Sequence, residues 1–154
     1  MPGNFEANVR ACAALSEHYQ VGLQALRQAD RRHIQVSKPR QLTGSVDVDS
    51  ALALTLPNDP RWDYAIGHRV PGDGRETVHW IEVHPASDAE VNAIEAKLDW
   101  LVNWVIRHAA ALSAMRRRYV WVSSGNTHLT HTAPSLKRLA QRGLKHVGSR
   151  YTIV

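Results

Sequence analysis

Three side chains suggest chemistry before any fold is considered: Asp63, Glu82 and His84. The stretch "HWIEVHPAS", residues 79–87, has the composition of a short apolar strand. Side chains alternate along a strand, so Glu82 and His84 share one face while Ile81 and Val83 share the other. Upstream, "RWDYAIGHRV" is a second strand candidate, and "PGDG" between the two supplies the Gly and Asp that a tight hairpin demands. A two-residue loop at Gly72 and Asp73, or a four-residue loop from Pro71 to Gly74, gives one register, in which Asp63 lies opposite Glu82 and Arg61 opposite His84. Like charges directly opposed are destabilising unless something bridges them. A divalent cation is the simplest bridge, and a hard ion such as Mg2+ or Mn2+ takes two carboxylates together with water and substrate phosphate. A neutral imidazole at His84 would then orient or deprotonate water.

Further residues extend this constellation. Lys97 lies on the flank of the helix that follows, within reach of the carboxylate pair as a positive donor to developing phosphate charge. Asp47 and Asp49 in "SVDVDSA" fall on one face of a preceding strand, where Asp47 is a third candidate metal ligand. His128 and His131 in "NTHLTHTAPS" have the spacing of half a zinc site, to be completed by His68, His79 or His146. The same segment could instead hold phosphate at the N-terminus of the next helix.

The elements that must position these groups follow from periodicity and punctuation. "NFEANVRACAALSEHYQVGLQAL" carries apolar residues at helical spacing behind Asn4 as N-cap. "RRHIQVSKPRQL" reads as either a short strand or a loop, and "GSVDVDSALALTL" alternates as a strand. After the hairpin, Ser87 and Glu90 have capping-box spacing, and Val91, Ile94, Leu98, Leu101, Val105 and Leu112 mark one stripe of a long helix. "RRRYVWVSSG" is a strand, "APSLKRLAQRGL" a short helix between Pro134 and Gly143, and "RYTIV" a last strand. The expected architecture is a single α/β domain over residues 1–154, with a mixed central sheet and flanking helices.

An αβββαβ order, an acid on the second strand and Glu-x-basic on the third after a tight hairpin resemble the PD-(D/E)XK nuclease superfamily, the restriction-endonuclease-like fold. Asp63 matches the motif Asp and Glu82 its second acid, while His84 stands where the family has Lys, and Pro60 lies three positions before Asp63 rather than one. Some members draw the lysine from the following helix, which gives Lys97 that role, and many add an acid from the first helix, here Glu17. The resemblance implies metal-dependent hydrolysis of phosphodiester bonds in DNA or RNA, with Asp63, Glu82, His84 and Lys97 as catalytic residues. The histidine also admits a degenerate relative that binds nucleic acid or protein without cutting, and the His128 segment admits a zinc-dependent hydrolase.

Composition sets the partners. The net charge of +5 is unevenly spread: from Ser113 onward there are eight Lys or Arg and no acid, leaving 11 basic and 14 acidic residues before it. Arg116, Arg117, Arg118, Lys137 and Arg138 are therefore candidate contacts to a nucleic acid backbone. Trp100 and Trp104 fall off the main helical stripe and suggest a dimer or partner surface. One cysteine, Cys12, excludes an intramolecular disulfide, and no apolar run reaches the roughly 20 residues a bilayer requires, so a cytoplasmic protein is expected. Neither a phosphate-binding Gly-rich loop nor a Gly-x-Ser-x-Gly elbow is present.

Overall fold

The hairpin expected around "PGDG" organises the molecule. In the computed structural model, which describes residues 4–129 and 134–154, β4 (Tyr64–Arg69) pairs antiparallel with β5 (Glu76–Ser87) from Tyr64 opposite Ile81 to Arg69 opposite Glu76. That is the register derived from a Pro71–Gly74 loop. Gly72 and Gly74 both take positive φ, a conformation that costs glycine little.

Six strands form one mixed sheet in the order β1 (Tyr19–Gln20), β3 (Leu42–Asp47), β4, β5, β6 (Arg116–His128) and β7 (Leu144–His146). The first four run antiparallel to their neighbours. From β5 onward the pairing is parallel, because α4 (Val91–His108) with α5 (Ala110–Ser113) carries the chain back before β6, and α6 (Pro134–Gln141) does so before β7. On one face, α1 (Phe5–Arg10), α3 (Val48–Leu52), α4, α5 and α6 pack over a core that includes Phe5, Trp62, Trp80, Ile94, Leu98, Leu101, Trp121 and Leu139. The other face carries Tyr64, Ile66, Ile81, Val120 and Val122 under a small parallel sheet of β2 (Ile34–Val36) and β8 (Tyr151–Ile153). A short helix, α2 (Gln28–Arg31), precedes β2. No helix among the described residues is long and apolar enough to cross a membrane.

Several expectations need correction. The first helix ends at Arg10, and the chain continues through a 3-10 turn at Ser16–His18 into β1, because Tyr19 is recruited to the sheet edge, where its hydroxyl donates to Thr43 O at 2.7 Å. "GSVDVDSALALTL" is a strand only to Asp47. The Asp47 carboxylate accepts from Ser50 N at 2.9 Å and thereby starts α3, a cap that outweighs the alternating pattern. The long helix breaks at Ala109, and its start is not a capping box: Ser87 makes no side-chain cap bond, and Glu90 turns to His84. The terminal "RYTIV" joins β2 instead of the main sheet, whose edge is β7 in "GLKHVGS".

Trp104 is 7 % exposed within the helix-side core, and Trp100 stacks on it with ring centroids 5.8 Å apart while donating to Asp59 Oδ2 at 2.9 Å. These tryptophans cover the molecule's own core, which supplies no argument for the dimer or partner surface expected of them. Cys12 is buried, as a small apolar residue would be.

Helix α1 lies so close to β4 that a Cβ on Gly67 would come within 2.4 Å of both Phe5 Cγ and Thr43 Oγ1. Gly67→Ala should therefore destabilise the fold by about 1–3 kcal/mol, the range for overpacking a filled core. Urea denaturation checks this, and a midpoint equal to wild type would show that α1 is not seated there.

Candidate active site

Glu82 is completely buried on the helix side of β5, between Trp80 and His84. A carboxylate in that position is tolerated only if charge and hydrogen bonds reach it. Three elements supply them. The Asp63 backbone N–H, one residue before β4, donates to Glu82 Oε1 at 3.1 Å. Lys97, from the second turn of α4, donates its Nζ to Glu82 Oε2 at 2.6 Å. His84 Nδ1 stands 3.5 Å from the same oxygen, while its Nε2 is 2.7 Å from Glu90 Oε2. In return the Val83 N–H donates to Asp63 Oδ2 at 3.0 Å, so Asp63 and the Glu82–Val83 segment hold one another through reciprocal backbone contacts.

The electrostatics follow from this crowding. Burial, then the neighbouring Glu82 charge, pushes the Asp63 carboxyl from 3.8 up to about 8, with Lys97 opposing. Hydrogen bonding to Glu82 raises His84 against the effect of its burial, with Glu90 adding to the rise. Its surroundings thus shift the imidazole toward its charged form, with a carboxylate near each ring nitrogen.

Asp63, Glu82, His84 and Lys97 accordingly meet at one place. Asp63, one residue before β4, and Glu82 on β5 bring two carboxyl groups together, Asp63 drawn toward its protonated form first by burial and then by the Glu82 charge, and these are the oxygens a hard divalent cation would take. Asp63 and Glu82 are the residues that would hold it, with water and substrate oxygens completing the shell. Among the described residues no cluster of three or more His, Cys, Asp or Glu could hold a metal by itself.

Other candidates lie elsewhere. Asp47 pairs with Tyr64 and so lies on the opposite sheet face from Glu82; its carboxylate caps α3 and faces Arg27 at 3.8 Å. A third metal ligand at Asp47 is therefore withdrawn. Glu17 is exposed on the 3-10 turn before β1, not on the first helix. Arg61 donates to Asp49 at 2.9 Å instead of facing His84. Arg116, Arg117 and Arg118 pair with Thr77, Val78 and His79, at the end of β5 remote from Glu82, and Arg116 is bound to Asp73. Five residues separate Arg116 from Trp121, the partner of Glu82, which is about 16 Å along a strand. Arg138 pairs with Glu95 at 3.3 Å and Arg142 with Asp99 at 2.5 Å, so these cations fasten α6 to α4, while Lys137 is exposed. The proposed His128–His131 zinc half-site falls on side chains outside the described residues. Of its suggested partners, His68 and His79 lie together on the opposite face, and His146 bonds Ser123 Oγ at 2.7 Å.

The sequence did not point to Glu90 as the partner of His84, because its spacing from Ser87 matched a cap. Nor did it point to Ser123, which faces His84 across β5 and β6. That pairing depends on a parallel register with no loop length to reveal it. Comparison with protein-family models, with curated proteins and with solved structures gives no match for the chain.

Two outcomes are expected. Lys97→Met leaves Glu82 buried without its ammonium and should cost about 3 kcal/mol in chemical denaturation at neutral pH; an unchanged midpoint would contradict the contact. For Asp63, the folded state holds a proton that the unfolded chain has released between about pH 4 and 8. Stability therefore falls as pH rises through that window. Asp63→Asn should remove this fall, with its largest gain in Tm over wild type above pH 8, and parallel pH profiles for the two proteins would contradict the assignment.

Proposed function

We propose that the chain is a metal-dependent phosphodiesterase acting on nucleic acid, with a restriction-endonuclease-like αβββαβ core and an active site of the PD-(D/E)XK type in which the lysine comes from helix α4. The observation that carries this reading is the 2.6 Å contact of Lys97 Nζ with Glu82 Oε2, beside an acid, Asp63, set by the hairpin register.

A bound Mg2+ or Mn2+ would supply Lewis-acid polarisation of the phosphate and an acidified water. Asp63 and Glu82 would hold the ion, Asp63 in its ionised form. Lys97, already beside Glu82, is placed to steady charge on the phosphoryl oxygens. His84, held between Glu82 and Glu90, acts as a proton donor or as the group that positions Glu82. Lys137, exposed on α6, is a basic residue available to touch a nucleic acid backbone.

A second reading has its own observation. Both oxygens of Glu82 are engaged, one of them by Lys97 and His84 together, a full set of partners for a carboxylate that never meets a metal. In that case the chain is a non-cutting module on the same architecture.

Cleavage of mixed single- and double-stranded DNA and RNA, with Mg2+ or Mn2+ and with EDTA, separates the two. The nuclease reading expects metal-dependent cutting that falls about 100-fold or more in Glu82→Gln and in Lys97→Met. No cutting, together with a Tm unaffected by millimolar Mn2+, would favour the non-cutting module.

A further inference from the structure

The sheet face opposite Glu82 carries a second place with the makings of a site. A cavity of about 460 Å³ opens between the main sheet and β8, with His68, His79, Arg118, Lys145 and Tyr151 among its walls. Its volume is that of a small-molecule pocket and far exceeds what an inorganic ion needs. The register explains how it is furnished. His79 pairs with Arg118, and Lys145 pairs with Val120, so Arg118 and Lys145 stand one pleat apart on neighbouring strands, on one face.

The side-chain charge of this pocket is one-sided. Among the described residues its wall holds Arg117, Arg118 and Lys145 and no Asp or Glu side chain, with Val154 also in the wall, and neither Arg118 nor Lys145 has an ion-pair partner. Three of the other basic residues after Ser113 behave differently: Arg116, Arg138 and Arg142 are each matched to an acid. The floor is polar but carries no charge of its own. His79 Nδ1 bonds the Tyr151 hydroxyl at 2.8 Å, and the His68 ring meets that of His79 edge-on at 5.8 Å. His68 Nε2 is buried without a hydrogen-bond partner, an expense that native cores seldom carry without a reason. Burial, helped by His68 and Arg118, pushes the His79 imidazole down to about 3, so the floor offers neutral donors and acceptors under two cations.

We propose that this cavity binds a small organic phosphomonoester of nucleotide size, its phosphate held by Arg118 and Lys145 and its body resting on Tyr151. Arginine's planar fork suits two phosphate oxygens at once, and lysine adds a point charge. Tyr151 offers an aromatic face with a hydroxyl already fixed by His79. The site lies on the other side of the sheet from Glu82 and needs no divalent cation, so it is independent of the phosphodiesterase reading.

Calorimetric titration of the full chain in EDTA tests this with three probes: AMP, inorganic phosphate, and a 5′-phosphorylated oligonucleotide. AMP is expected to bind at least tenfold more tightly than phosphate. Arg118→Ala and Lys145→Ala should each weaken AMP at least tenfold, while Glu82→Gln leaves it unchanged. Tyr151→Phe keeps the ring on which the body of the ligand rests and removes only the hydroxyl bonded to His79, so it should weaken AMP by less than threefold. The proposal is overturned if AMP fails to bind at millimolar concentration, if phosphate binds as well as AMP, if the oligonucleotide binds and AMP does not, or if folded Arg118→Ala and Lys145→Ala proteins bind AMP as wild type does.

Discussion

A carboxylate with no exposure to water is the constraint around which the helix side of this molecule is arranged. Glu82 meets the Lys97 ammonium there, and Lys97 can reach it only because α4 crosses back over β5 before β6 begins. The crossover that makes the β5–β6 pair parallel is thus also what delivers the ammonium. Replacing such a pair by apolar residues of similar size is often neutral or stabilising, so the pair is not by itself a source of stability.

The two faces of β5 divide the labour. On the helix side, Trp80, Glu82 and His84 follow one another, so the polar groups sit at the end of an apolar run, with Trp121 opposite Glu82 on β6. Trp121 also donates its Nε1 to His84 O at 3.1 Å, which ties the strand end to β6 at the point where the pairing register shifts, between His84 and Ala86. On the other side, Ile81 packs in the second core, while Thr77 and His79 toward the start of the strand face the basic cavity. Each face of the strand therefore holds both apolar packing and a polar place.

How much of this could be read from residues alone depended on whether a local signal existed. Both loop lengths that "PGDG" suggests give one register, so the opposition of Asp63 and Glu82 was legible, and helical periodicity set Lys97 on the flank of the apolar stripe. Signals that compete locally were not resolved: Asp47 has the chemistry of a metal ligand and of a helix cap, and the nearby Ser50 N–H decides for the cap. Trp100 and Trp104 lie off the main stripe because the covering segment that includes Leu56 and Asp59 packs against them, which no helical pattern records. Pairings between distant segments were out of reach. β7 is three residues long and β8 leaves the main sheet for β2, so the basic cavity between them had no signature in the sequence.

The most direct test of the central claim is a double-mutant cycle on Glu82 and Lys97, with folding free energy and Mn2+ binding measured on the same four proteins. If the buried pair exists to serve a cation, Lys97→Met is strongly destabilised, Glu82→Gln/Lys97→Met regains most of the loss, and the double variant no longer binds Mn2+ that wild type binds. A double variant as unstable as the sum of its single changes, or one that binds Mn2+ as wild type does, would contradict the claim.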